Sequence, residues 1–133
     1  MTPGSVLFWK NFSFTDGGKS DKLLIVLNHQ RDGQHMLVPT TSMYRKWRPR
    51  ENGCQASQGY FFVPEENKDF DTETWILLDD PQVKEISELE EREDDRTMRL
   101  LFQLDLSFVK AIVNCFKKTE DCSPYYEYLL EDP

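Results

Sequence analysis

Two apolar runs flanking Arg31-Asp32-Gly33 constrain this chain more than any other feature. Lys22-Leu-Leu-Ile-Val-Leu-Asn28 has the length and composition of a buried strand. Asp-Gly supplies the positive φ angles that a tight hairpin turn requires. Gln34 to Thr41 then returns as the partner strand, with His35 and Leu37 on one face and Met36 and Val38 on the other. A two-stranded ribbon is only marginally stable alone, so further strands must cover it. Ser5–Lys10, Gly59–Pro64, Thr74–Leu78 and Thr97–Leu104 carry the bulky and β-branched residues expected of strands.

The rest of the chain is read around that ribbon. Asn11 to Asp21 is a loop rich in Ser, Thr, Asp and Gly. Ser42 to Ser57 is a long polar connection, and Glu65 to Asp71 is a charged loop. Val83–Ser87 is expected to be a strand and Glu90–Asp95 a solvated loop, with a helix through Val83, Ile86 and Leu89 as the alternative. Ser107 is the expected N-cap of a helix Phe108–Lys118. Ser123-Pro124 is the expected start of a last helix ending at Leu130. The expected fold class is mainly β: a single domain over residues 1–133, with a small, partly open barrel over about 4–104 and a helical segment over about 107–131.

Charge is divided unevenly. Residues 1–64 carry a balance of +4 and residues 65–133 a balance of −12, which together give the net −8. The acidic total disfavours nonspecific nucleic-acid binding, whereas a basic face stays visible at short range because salt screens the distant acidic half. Cys54, Cys115 and Cys122 form no CxxC pair, and His29 and His35 are the only imidazoles, so no metal site and no cofactor are expected. With no secretory leader and no apolar run of membrane length, the expectation is a cytoplasmic protein with free thiols and no membrane partner.

Several segments together are similar to one family. Gly4-Ser-Val-Leu-Phe8 and Phe12-Ser-Phe-Thr-Asp16 resemble the opening strand and following loop of the MazF/PemK-like toxins. Lys22-Leu-Leu-Ile-Val-Leu-Asn28 is similar to the family's Arg-Pro followed by an apolar strand. Thr40-Thr-Ser42 resembles its Thr-Ser after the third strand, and Leu101 to Phe116 follows its terminal strand and helix in order. Lys22-Leu23 replaces the family's Arg-Pro, and its Ser-x-Val…Asp-Gln stretch is not visible around Leu78–Lys84. The resemblance implies a toxin of a toxin–antitoxin system. Such proteins are SH3-like barrels, commonly homodimers, that cleave single-stranded RNA without a metal and are restrained by a cognate antitoxin.

Metal-free RNA cleavage needs a base for the 2′-hydroxyl proton, a cation for the phosphorane charge and an acid for the departing 5′-oxygen. Lys22, at the family's arginine position, is the candidate cation; the bland reading is a solvated lysine before a strand. Thr41 and Ser42 are candidates for positioning phosphate, or else they satisfy backbone groups at a strand end. His29 and His35 have suitable chemistry but sit near a hairpin tip, distant from Lys22. Asp16 and Asp21 are carboxylate candidates or turn formers. Tyr44, Arg45, Lys46, Trp47, Arg48 and Arg50 form a basic loop suited to RNA, with arginines for phosphates and rings for bases; Asp16 and Lys19 extend that expected surface. The alternative for the loop is that its arginines pair with the acidic half of the chain. Glu88–Asp95 reads as a solvated face or as an acidic tether over the basic groove. The competing function is a noncatalytic barrel module that binds a protein partner or RNA within a toxin–antitoxin or defence operon.

Overall fold

A computed structural model describes residues 1–13 and 17–131. Eight strands run β1 Ser5–Ser13, β2 Lys19–Val26, β3 Gln34–Thr41, β4 Gly53–Gln55, β5 Tyr60–Val63, β6 Thr74–Leu77, β7 Gln82–Glu85 and β8 Met98–Gln103. Helices are α1 Ile86–Asp94, α2 Leu106–Phe116 and α3 Pro124–Leu130, with one 3-10 turn at Ala56–Gln58. The strands form one antiparallel sheet in the order β4-β5-β6-β3-β2-β1-β8, with β7 off this path and paired with β3. The sheet does not close, so the molecule is mainly β and open, with α1 between β7 and β8 and with α2 and α3 after the last strand.

β3 organises the sheet. One edge pairs with β2, from Leu24↔Pro39 to Val26↔Leu37. Its other edge is divided: Gln34–Leu37 pair with β7, and Thr40–Thr41 pair with Trp75–Ile76 of β6. Pro39, which has no N–H to give a ladder, falls at the switch between those two partners. The hairpin that feeds β3 is the expected one. Asp32 and Gly33 have φ of 52° and 73°, and Arg31 and Gln34 exchange both backbone hydrogen bonds. β1 carries a bulge between Trp9 and Phe12, where Asn11 takes a φ of 55° and donates its N–H to Asp21 Oδ1 at 2.9 Å. Bulges bend strands, and this one curves the sheet at the start of β2.

Both faces of the central strands are buried. Ile25, Leu27, Met36 and Val38 meet Val109, Ile112 and Phe116 of α2 and Leu129 of α3. Leu24, Val26 and Leu37 meet Leu7, Trp9, Phe12 and Met98 on the opposite side, together with Leu89 of α1. This double burial is why the β2 segment reads as an unbroken apolar run rather than as an alternation.

Three expectations are corrected. Residues 86–94 are helical, so the loop expected over Glu90–Asp95 is an α-helix; the strand before it is present. Leu89 explains the difference, because that single apolar side chain, 1% exposed, plugs the second core. The N-cap of α2 is Asp105 rather than Ser107, and the Asp105 carboxylate forms an ion pair with Lys68. The three cysteines are not all free thiols, because Cys54 of β4 is bonded to Cys115 of α2 across 5.5 Å between their Cα atoms. Cys122 keeps its thiol, whose pKa burial pushes up. The start of α3 is as expected, with Ser123 accepting the N–H of Tyr126 and Pro124 following it.

Candidate functional site

The β1 bulge and the divided edge of β3 bring two strand ends together. Lys22 lies opposite Trp9 in the β1–β2 ladder, near the start of β2. Thr40 and Thr41 end β3, and the Thr40 hydroxyl donates to the Leu23 carbonyl at 3.0 Å. Between them opens a concavity of about 270 Å³, lined by Asp21, Lys22 and Leu23, by Thr40, Thr41 and Ser42, and by Phe70, Asp71, Thr72 and Thr74. The structure therefore gathers Lys22, Thr41 and Ser42 around one space.

Their environments differ. Burial pushes the Lys22 ammonium below the ordinary lysine range, and the Arg48 charge lowers it further. Thr41 is 8% exposed, and its oxygen accepts the N–H of Met43 at 3.1 Å, so it also holds the strand end. That leaves its O–H as a donor. Ser42 is exposed at the mouth. Asp21 is tied to the Asn11 N–H, whereas Asp71 stands exposed at the rim.

The basic loop leaves β3 directly at this cavity and ends at β4. Arg48 donates its backbone N–H to the Arg45 carbonyl at 2.9 Å and its guanidinium to the Met43 carbonyl at 3.5 Å. Burial lowers its pKa, and Arg45 adds to that effect while Asp79 opposes it. The Pro49 carbonyl accepts from the Tyr60 hydroxyl at 3.2 Å and from the Trp75 indole at 3.5 Å. Arg50 binds Glu73 bidentately, through Nε at 2.7 Å and Nη2 at 3.0 Å. That hydrogen bond raises the arginine pKa and lowers the carboxylate pKa. The same guanidinium covers the Tyr44 ring at 4.3 Å, and Tyr44 lies 6.4 Å from Trp75. Tyr44 and Arg50 are thus held by their own chain, whereas Trp47 is 67% exposed. A second concavity of about 430 Å³ adjoins the first through Thr72, with Arg50, Asn52, Phe62, Pro64, Glu65 and Glu73 as its other walls.

Other expected site residues fall elsewhere. Lys19 is exposed at the first position of β2 and does not line the Lys22 cavity. Asp16 lies outside the described residues. Arg45 and Lys46 are exposed on the loop. His35 is buried, its Nδ1 3.3 Å from the Asn28 carbonyl oxygen, and burial lowers its pKa. Neither histidine lines the Lys22 cavity. The acidic segment forms α1 against the second core and contributes no residue to that cavity, so the tether over the groove is not observed.

Reading the sequence missed Phe70, Asp71, Thr72 and Thr74, which form the opposite wall. The signal that finds them is strand pairing: with Thr41 opposite Trp75, Thr74 must lie beside Ser42. Among the described residues, no group of three or more His, Cys, Asp or Glu side chains is arranged to hold a metal ion, and no helix is long and apolar enough to cross a membrane. No protein-family model matches the chain, and no curated protein matches it significantly.

Proposed function

We propose that this protein is a MazF/PemK-like toxin, a cytoplasmic, metal-independent endoribonuclease acting on single-stranded RNA. The observation that carries the reading is the shared concavity of Lys22, Thr41 and Ser42, with Arg48 close enough to act on the lysine. A backbone phosphate seated there meets an ammonium and two hydroxyl donors. The 2′-oxygen attacks phosphorus, its proton passes to a carboxylate, and the bond to the 5′-oxygen breaks as that oxygen takes a proton from water. Asp71 is better suited to take that proton than Asp21, whose Oδ1 already accepts a backbone bond. Lys22 offsets the charge that grows on the phosphorane, where a cation aimed at the transition state contributes most. The products are a 2′,3′-cyclic phosphate and a 5′-hydroxyl. Trp47 is the loop ring available to stack on an unpaired base.

Two further features fit this reading. β8 is an edge strand with Leu100 and Leu101 52% and 41% exposed, which suits pairing with a second copy in a homodimer. The acidic total suits a toxin kept in check by a protein antitoxin rather than one that coats RNA indiscriminately.

The second reading is a noncatalytic barrel module that binds a protein partner or RNA. It is favoured by the internal use of Tyr44 and Arg50 and by the two carboxylates at the cavity. Incubation with mixed-sequence, unstructured RNA in EDTA separates the two. New 2′,3′-cyclic phosphate ends that disappear in Lys22→Ala support the nuclease. RNA that stays intact with the wild-type protein rejects it and leaves the binding module.

A further inference from the structure

We infer that the Cys54–Cys115 disulfide is a redox lock on the cationic loop beside the Lys22 cavity, a role that rests on the proposed RNA-binding reading of that loop. The loop has two anchored ends. One is Thr41–Ser42 at the cavity, and the other is β4. β4 is only three residues long, ends the sheet, and pairs with β5 alone. The covalent bond to α2 therefore supplements a short ladder at the point where the loop meets the fold. The partner cysteine is well fixed, because Cys115 is 1% exposed within the main core. Cys54 is exposed, so a reductant reaches the bond from the loop side.

Disulfides in a reducing compartment are usually transient and redox-sensing. A thiolate of a dithiol reductant attacks Cys54 Sγ, and the S–S bond breaks. Cys115 leaves as a thiolate and takes a proton. The reductant's second thiol then resolves the mixed disulfide, freeing Cys54 as a thiolate that is protonated in turn. The protein gains two electrons and two protons, and the reductant becomes its own disulfide. Reduction leaves the three-residue ladder with β5 as the tie on β4, so β4 frays and frees that end of the loop, and RNA binding must pay the cost of ordering Arg45, Trp47 and Arg48 again.

The test compares the oxidised and dithiothreitol-reduced full chain, with Cys54→Ser and Cys122→Ser. Limited trypsin digestion reads the loop, near-ultraviolet circular dichroism reads the core, and labelled unstructured RNA reads the site. Expected on reduction are faster cutting confined to Arg45–Arg50, an unchanged core signal and roughly fivefold weaker RNA binding. Cys54→Ser should match the reduced protein under all conditions, and Cys122→Ser should respond like the wild type. Equal digestion in both redox states overturns the lock, and so does cutting throughout the chain with loss of the core signal. Released digestion with unchanged, measurable RNA affinity overturns control of the site. No RNA binding in either state, with loop cutting still redox-dependent, leaves the lock standing and removes the RNA reading.

Discussion

Lys22 and Arg50 are cations on neighbouring concavities that share Thr72, yet they are held in opposite ways. Lys22 rides on β2, where the backbone ladder with β1 sets its position and the Asp21 carboxylate, accepting the Asn11 N–H, ties down the bulge beside it. Arg50 rides on a loop whose geometry depends on individual side chains: Glu73, Tyr44, Tyr60 and Trp75 on the Pro49 carbonyl and, within β4, one disulfide. A ladder distributes the cost of positioning over many bonds, so a single substitution scarcely moves it. A pinned loop moves when one pin is removed. Under the proposed function, the strand-borne part would serve chemistry, which tolerates little misplacement, and the loop-borne part would serve capture of a flexible strand.

The largest test of this contrast is the covalent pin. In the chain-entropy account, a cross-link separated by 61 residues contributes up to about 4 kcal/mol. Cys54→Ser should lower the denaturant midpoint of the oxidised protein accordingly, and a midpoint equal to wild type would show that the bond constrains nothing. The next effect is chemical. Lys22→Ala should slow RNA cleavage by about 10²–10³, while RNA affinity falls by much less. Equal losses in both would make Lys22 a binding residue only.

A smaller effect links the two regions. Because the folded pKa of Lys22 is lowered, its ammonium is lost as pH rises through a point below the ordinary lysine range. Cleavage should decline there, and Arg48→Ser should move the decline to higher pH while burial keeps it below the ordinary range. A profile that does not move would uncouple loop from cavity. Stability moves the opposite way: the unfolded chain binds the extra proton between the two pKa values, so stability rises with pH across that window. The smallest effects belong to the loop charges. Replacing Arg45, Lys46, Arg48 and Arg50 by Ser should flatten the salt dependence of RNA binding by a slope of up to about 3. An unchanged slope would move the phosphate contacts elsewhere.

The β2–β3 hairpin and the start of α3 were legible because local chemistry sets them: Asp32-Gly33 takes positive φ angles, and Ser123-Pro124 caps and begins a helix. The meeting of Lys22 with Thr41 and Ser42 follows from that same hairpin, because antiparallel pairing with Leu24 opposite Pro39 sets the start of β2 beside the end of β3; the roles given to these residues rest on the resemblance. α1 was legible only as an alternative, because Leu89 is its one buried residue and the core it enters is assembled from β1, β2, β3 and β8. Asp71 reads in the sequence as the end of an ordinary charged loop, and only the placement of β6 beside β3 brings it and Thr72 to the cavity.

Sequence alone determined which segments extend, where the tight turn lies and that acidic residues are concentrated in the second half, because these are read from the order of residues along the chain. Tertiary structure decided which strands pair, which two of three cysteines bond and which residues share a cavity with Lys22. Those outcomes depend on the simultaneous burial of both faces of a divided sheet, and residues distant along the chain meet only when that burial is complete.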